Sequence, residues 1–176
     1  MQFGLSPQES PAVLDNKPDK LFIGIPKEHS FQERRIALTP ESVHTLVAHG
    51  HRVVVETKAG QGSQFTDRDY SEAGAEIAYD PKTVFEANII IKVAPPSKEE
   101  AEMMKHNQIL ISPIHLPTLK EGYIQDLMKK KVTALALEYI KDESGTFPFV
   151  RSMSEIAGST VMLLAGELLS NVRNGQ

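Results

Sequence analysis

Short apolar runs alternate with amphipathic stretches from Lys20 onward. LFIGI reads as a strand; TPESVHTLVAHG follows it with Val43, Leu46 and Val47 at helical spacing, and HRVVVE reads as the next strand. The opening is therefore a βαβ unit. Thr39 is placed to cap its helix, Pro40 sits at the first helical position, and Gly50 follows the last periodic residue. The alternation continues with TDRDYSEAGA as a helix, EIAY as a short strand, PKTVFEA as a short helix and NIIIKV as a strand. Ser97 to His106 reads as a helix capped by Ser97, ILIS as a strand, Leu119 to Lys131 as a helix and VTALALE as a strand. Three consecutive isoleucines, Ile89 to Ile91, predict a central strand buried on both faces of a parallel sheet. Residues 141–149 form a turn-rich connector with Gly145 and Pro148. Ser154 to Asn171 is a last helix, apolar at Ile156, Val161, Leu164, Leu168 and Leu169. Short connections throughout predict an α/β domain with a mostly parallel sheet and helices on both faces, flavodoxin- or Rossmann-like. Residues 1–19, with Pro7, Pro11 and Pro18 among polar neighbours, read as a flexible tail, 20–150 as the domain, and 151–176 as a helix leading out of it.

Composition narrows the partners. With 176 residues, 40% of them apolar, the chain can bury a core but not two ordinary domains. Nineteen Lys and Arg against 23 Asp and Glu are interleaved, with no basic stripe, so a nucleic-acid partner is not expected. The absence of Cys removes disulfides, a thiolate nucleophile and a Cys zinc site. No apolar stretch approaches the ~20 residues of a membrane span, and MQFGLSPQES has neither the basic start nor the apolar core of a secretion signal. A cytoplasmic location is the resulting expectation.

In an open parallel sheet, ligands bind beyond the carboxyl ends of the strands. Four kinds of ionisable group fall on that edge: Arg34 and Arg35 after LFIGI, Lys92 after the isoleucines, His115 after ILIS and Glu138 at the end of VTALALE. A guanidinium can hold a carboxylate in a fork, an ammonium can polarise a carbonyl, and an imidazole can move a proton near neutral pH. The set describes a site for a small oxo- or amino-acid. Taken singly, an Arg before a helix is commonly a solvated surface residue, and a strand-end Glu is more often a hydrogen-bond acceptor than a catalyst. Lys92 is harder to dismiss, because an unpaired buried charge is costly. Pro113 and Pro117 flank His115 and stiffen its loop. Other histidines receive no role. Gly60-Gln61-Gly62 is not a dinucleotide loop: Phe65 stands where a third Gly belongs, so the segment is a turn. Neither a phosphate loop nor a zinc-ligand spacing backed by further ligands is present in the sequence.

The strings IGIPKE, RIALTP, GHRVVVE, AGQGSQFTDRDYSEAGAEI, IIIKV, IHLP and MSEIAG, in this order, resemble the N-terminal substrate domain of alanine dehydrogenase. The same domain occurs in proton-translocating nicotinamide nucleotide transhydrogenase. The resemblance implies that Arg35 binds a substrate carboxylate, that Lys92 contacts the substrate, and that His115 acts in proton transfer. It also implies NAD as cofactor, bound by a second domain with a Gly-rich fingerprint, and no cofactor or metal ligand in this chain. The expected substrates are alanine and pyruvate, and the expected full-length protein is a homo-oligomer. IHLP favours the dehydrogenase, since transhydrogenases typically carry a Trp-Pro pairing at that loop. The departures are the Pro-rich tail and Pro95-Pro96, where a charged residue before Pro is more usual. On this resemblance the chain is about half of a subunit, a truncated piece instead of a natural module, and inactive alone. The alternatives are a transhydrogenase subunit domain and a non-catalytic module for small acids or a partner protein.

Overall fold

Alternate residues of each strand face opposite sides of the sheet, and both sides are covered. In a computed structural model, which describes residues 20–115 and 122–173, six strands form one parallel sheet. They are β1 (Phe22–Ile25), β2 (Arg52–Glu56), β3 (Glu76–Ala78), β4 (Ile89–Ile91), β5 (Ile109–Ser112) and β6 (Thr133–Ala136). Their spatial order, β3-β2-β1-β4-β5-β6, is that of a Rossmann-like sheet, not a flavodoxin-like one. Every neighbouring pair is parallel, with Ile23 beside Val53 on one flank and Ile89 on the other. The triple isoleucine strand is central, as its composition predicts, and Ile90 is fully buried.

On one face, Ile23, Ile25, Val53, Val55 and Ile89 pack with Val43 of α1 (Pro40–Ala48) and Tyr70 of α2 (Asp67–Glu72). On the other, Val54, Ile90 and Leu110 pack with Val84 of α3 (Pro81–Val84), Met104 just after α4 (Lys98–Met103) and Leu127 of α5 (Tyr123–Lys129). A side chain at Gly24 would lie 2.5 Å from the Val84 carbonyl oxygen, so β1 meets α3 at contact that only glycine permits.

The predicted caps are present. Thr39 accepts from the Ser42 N–H, with Pro40 at the first helical position. Gly50 takes a φ of 86°, and the Gly50 and His51 N–H groups close a Schellman motif on the Val47 and Leu46 carbonyls. The end of α4 is met differently: Lys130 Nζ donates to the carbonyls of Ala101, Glu102 and Met104. Such orphan carbonyls need a donor from outside the helix.

Boundaries differ from the sequence reading in three places. Helix α4 ends at Met103, short of His106, and α5 runs from Tyr123 to Lys129 instead of Leu119 to Lys131, because Gly122 before it takes a φ of 93°, which is not helical; residues 116–121 lie outside the described residues. The last helix, α6 (Pro148–Arg173), starts six residues before Ser154. Pro148 stands at its first position, where proline is a start signal, and the connector shrinks to a turn around Asp142 Oδ1, which accepts from Ser144 and Thr146 N–H. The expected tail, 1–19, also lies outside the described residues. Along α6 the apolar residues are exposed, including Ile156, Val161, Leu164, Leu168 and Leu169. Among the described residues, no helix is long and apolar enough to cross a membrane.

Candidate active site

Strand order reverses between β1 and β4, and such a switch point opens a crevice at the carboxyl edge. Arg35 lies in the loop after β1, and Lys92 directly follows β4. His115 follows β5, and Glu138 sits in a single 3-10 turn (Leu137–Tyr139) after β6. All four line one open cavity of about 700 Å³, which Phe149, Val150 and Met153 from the start of α6 line as well. The expected candidates therefore share one cavity. Arg34 does not join them; it lines a neighbouring cleft with Lys27, Lys58 and Gln61, which Arg35 borders as well.

The two cations are seated differently. Lys92 is 1% exposed, and its Nζ donates to Glu28 Oε2 at 2.9 Å and Glu100 Oε1 at 2.8 Å. The second oxygen of each carboxylate is also used: Glu28 Oε1 accepts from the Val93 N–H, and Glu100 Oε2 accepts from the Ser97 N–H in a capping box. A buried ammonium is thus paired with two hydrogen-bonded carboxylates, one more than its charge matches. Two of its three donors are taken and one remains, on a residue that lines the cavity. Arg35 is half-exposed and held from the side by Glu33, with Nε at 2.8 Å from Oε1 and Nη2 at 2.6 Å from Oε2. The Arg35 side-chain bonds hold the Glu33 carboxyl below its usual value against the opposing effect of burial, and Glu33 in turn raises the guanidinium. Nη1 points instead to Met153 Sδ, 3.9 Å away on the cavity wall. The end-on edge of the guanidinium, Nη1 with Nη2, is the edge a carboxylate takes in a fork.

His115 has a φ of 49°, an uncommon conformation for a residue with a Cβ. Pro113 lines the cavity, while Pro117 lies outside the described residues. What holds the backbone is Glu138, whose Oε1 accepts both the Ile114 N–H at 2.9 Å and the His115 N–H at 2.8 Å. Burial raises the Glu138 carboxyl, but backbone N–H bonds from Glu138, His115 and Ile114, with the nearby His115, outweigh it and leave the pKa lowered. Its Oε2 is buried with no hydrogen-bond partner among the described residues.

Sequence reading did not find Glu28, Glu33 or Glu100. Ser97-x-x-Glu100 was a legible capping pattern and Glu33-x-Arg35 a legible local pair, but Glu28 meets Lys92 across 64 residues of chain. The loop after β1, where a dinucleotide-binding sheet carries its phosphate turn, does not fit a dinucleotide. After β1 the chain runs into Pro26-Lys27-Glu28, with no Gly-rich turn, and reaches no helix start until Pro40.

Residues 24–157 match the family described as alanine dehydrogenase/PNT, N-terminal domain. The chain belongs to this family. It is 40% identical over 156 residues to alanine dehydrogenase of Bacillus subtilis (strain 168), covering 89% of this chain and 41% of that protein. It is 38% identical to alanine dehydrogenase of Staphylococcus saprophyticus, covering 88% of this chain and 42% of that protein. A solved L-alanine dehydrogenase matches with a TM-score of 0.74 at 38% identity, over 77% of this chain and 37% of that one. A transhydrogenase from Sinorhizobium meliloti matches with a TM-score of 0.62 at 33% identity, over 67% of this chain and 35% of that one. The chain spans about two-fifths of the length of the curated relatives it matches.

Proposed function

We propose that this chain is the substrate domain of an NAD-dependent L-alanine dehydrogenase, which converts L-alanine, water and NAD+ to pyruvate, ammonium, NADH and a proton, reversibly. The observation that carries the reading is the convergence of Arg35, Lys92 and His115 from three strand ends on one cavity with an apolar wall. Arg35 takes the substrate carboxylate on the end-on edge that Glu33 leaves open. Lys92 offers its remaining N–H to the carbonyl oxygen and stabilises charge there. His115 moves the proton as amine, imine and carbinolamine interconvert. The hydride is taken by the nicotinamide, and holding that cofactor falls to a further domain, because neither the loop after β1 nor the Gly60-Gln61-Gly62 turn fits its phosphates. In the full-length protein, the exposed apolar stripe of α6 is a surface that a homo-oligomer would bury.

The likeness to a transhydrogenase supports a second reading, the corresponding domain of that enzyme. His115 on the cavity wall argues for the dehydrogenase. The test is a pair of variants in the full-length protein. Arg35→Ala is expected to raise KM for alanine and pyruvate by roughly 10- to 150-fold with little change in KM for NAD, the worth of ~1.5–3 kcal/mol for bonds to a charged group. His115→Ala is expected to lower kcat by about 10²–10⁴-fold and remove one limb of the pH–rate profile, while a non-reactive acid such as oxamate still binds. Wild-type kcat and an intact limb in the second variant would remove His115 as the proton shuttle.

A further inference from the structure

The turn after β2 has no place in the chemistry above, yet part of it packs against the loop that carries Arg35. A Cβ at Gly62 would lie 2.5 Å from the Arg34 carbonyl oxygen and 2.9 Å from the Arg34 Cα, so the turn and that backbone are in direct contact. Beside it, Ser63 Oγ donates to the same Arg34 oxygen at 2.9 Å. That oxygen belongs to the peptide group whose other end is the Arg35 N–H, and the N–H donates to Glu33 Oε1 at 2.9 Å. One peptide plane is thus gripped at both ends. Further along, the Tyr70 hydroxyl donates to the Leu38 carbonyl at 2.8 Å, fixing the segment where it enters α1. Gly60 in turn is packed against the Tyr70 and Phe65 side chains, which ties the turn to the buried ring.

We propose that Gly62 and Ser63 are positioning residues: they fix the Arg34–Arg35 peptide so that the guanidinium meets the substrate carboxylate in one orientation. The inference rests on the assignment of Arg35 to that carboxylate. A free loop of this kind would let the guanidinium swing between solvent and cavity, since Arg35 is half-exposed and carries many rotamers. Glu33 alone does not prevent this, because it lies on the same loop and moves with it. The Gly62–Ser63 turn is anchored elsewhere, in the packing of Gly60 on Tyr70, and so supplies an external reference. A side chain at position 62 would have to push the Arg34 backbone away.

The test is steady-state kinetics of the full-length protein with Ser63→Ala, Ser63→Thr and Gly62→Ala, read against Arg35→Ala. Ser63→Ala is expected to raise KM for pyruvate about 2- to 12-fold, the worth of one neutral hydrogen bond. Its kcat and its KM for NAD stay within twofold of wild type, and Ser63→Thr, which keeps the hydroxyl, restores KM. Gly62→Ala is expected to act in the same direction and more strongly. Ser63→Ala carries the test if Gly62→Ala does not fold. A wild-type KM for pyruvate in Ser63→Ala, or an equal rise for pyruvate and NAD, overturns the positioning role while Arg35→Ala still shows its selective defect. If Arg35→Ala shows no selective defect, the underlying assignment of Arg35 fails, and this inference with it.

Discussion

Lys92 and Arg35 stand on the two sides of the switch point, each a cation at the carboxyl edge of the sheet and each held by carboxylate, but their surroundings differ. Lys92 is fully buried between two carboxylates that are themselves bonded to backbone N–H groups. Arg35 is half in water, held by one carboxylate two residues away on its own loop. Burial decides what each pairing is worth. In the interior an unbalanced charge has no water to fall back on, so the Lys92 cluster is part of what keeps β1, β4 and α4 together. At the surface solvent screens the pair, so Glu33 adds little stability to the fold and chiefly orients the guanidinium.

The largest expected effect breaks the buried side. Lys92→Met leaves Glu28 and Glu100 facing each other without a cation. The cost is about 3–5 kcal/mol, or a fall of roughly 6–20 °C in Tm for a domain of this size. Thermal unfolding followed by circular dichroism measures it. A loss of under ~1 kcal/mol would mean that the cluster is no more demanding than a surface pair, and the contrast would collapse.

Glu138 lies between the two extremes, half-buried, with two backbone donors on one oxygen. Glu138→Leu strands the Ile114 and His115 N–H groups, at a cost of about 1–3 kcal/mol. The pH dependence sharpens the attribution. The folded pKa is lowered, so the contribution is fully present above the unfolded value, ~4.3, and is lost as pH falls through the lower folded value. The stability difference between wild type and Glu138→Leu should be constant above about pH 5 and shrink in stronger acid. A difference that grew on acidification would rule out the carboxylate as the acceptor that matters.

Much of this arrangement was legible in the sequence, and the unread part has a common cause. The strands, the caps at Thr39 and Gly50 and the central isoleucines follow from periodicity, which reports the immediate neighbourhood of each residue. Placing Arg35, Lys92, His115 and Glu138 on one edge needs only the parallel topology, because every strand then ends on the same side. What periodicity cannot carry is a side chain's partner across the fold. Glu28 and Lys92 are adjacent only because β1 and β4 are, and a Glu in a loop after a strand carries no mark of that pairing. The start of α6 is a different case. Pro148 fits a connector and a first helical position equally well, and the turn at Asp142 that makes the choice is too short to show in composition. Gly60-Gln61-Gly62 was rightly set aside as a nucleotide loop, but its use as backing for Arg34 depends on a contact 28 residues away in the chain, between Gly62 and Arg34.

The smallest expected effect concerns the surface side, and it is informative because it separates two quantities that usually fall together. Arg35→Ala should cost under ~1 kcal/mol of stability, since the Arg35 side chain is 54% exposed and solvent screens its pairing with Glu33. The small cost should shrink further on going from low to high salt, because the Debye length drops below the reach of the pair's longer-range part. Lys92→Met should show no comparable relief, its carboxylates being shielded from added ions. Unfolding of both variants in urea, at low and at high salt, makes the comparison directly. If Arg35→Ala proved as destabilising as Lys92→Met, the guanidinium would be a structural strut, and its large expected effect on substrate KM could no longer be read as loss of a contact to the substrate. If stability is nearly unchanged while KM rises tenfold or more, the cost is confined to binding, as expected of a cation kept at the surface to meet a ligand.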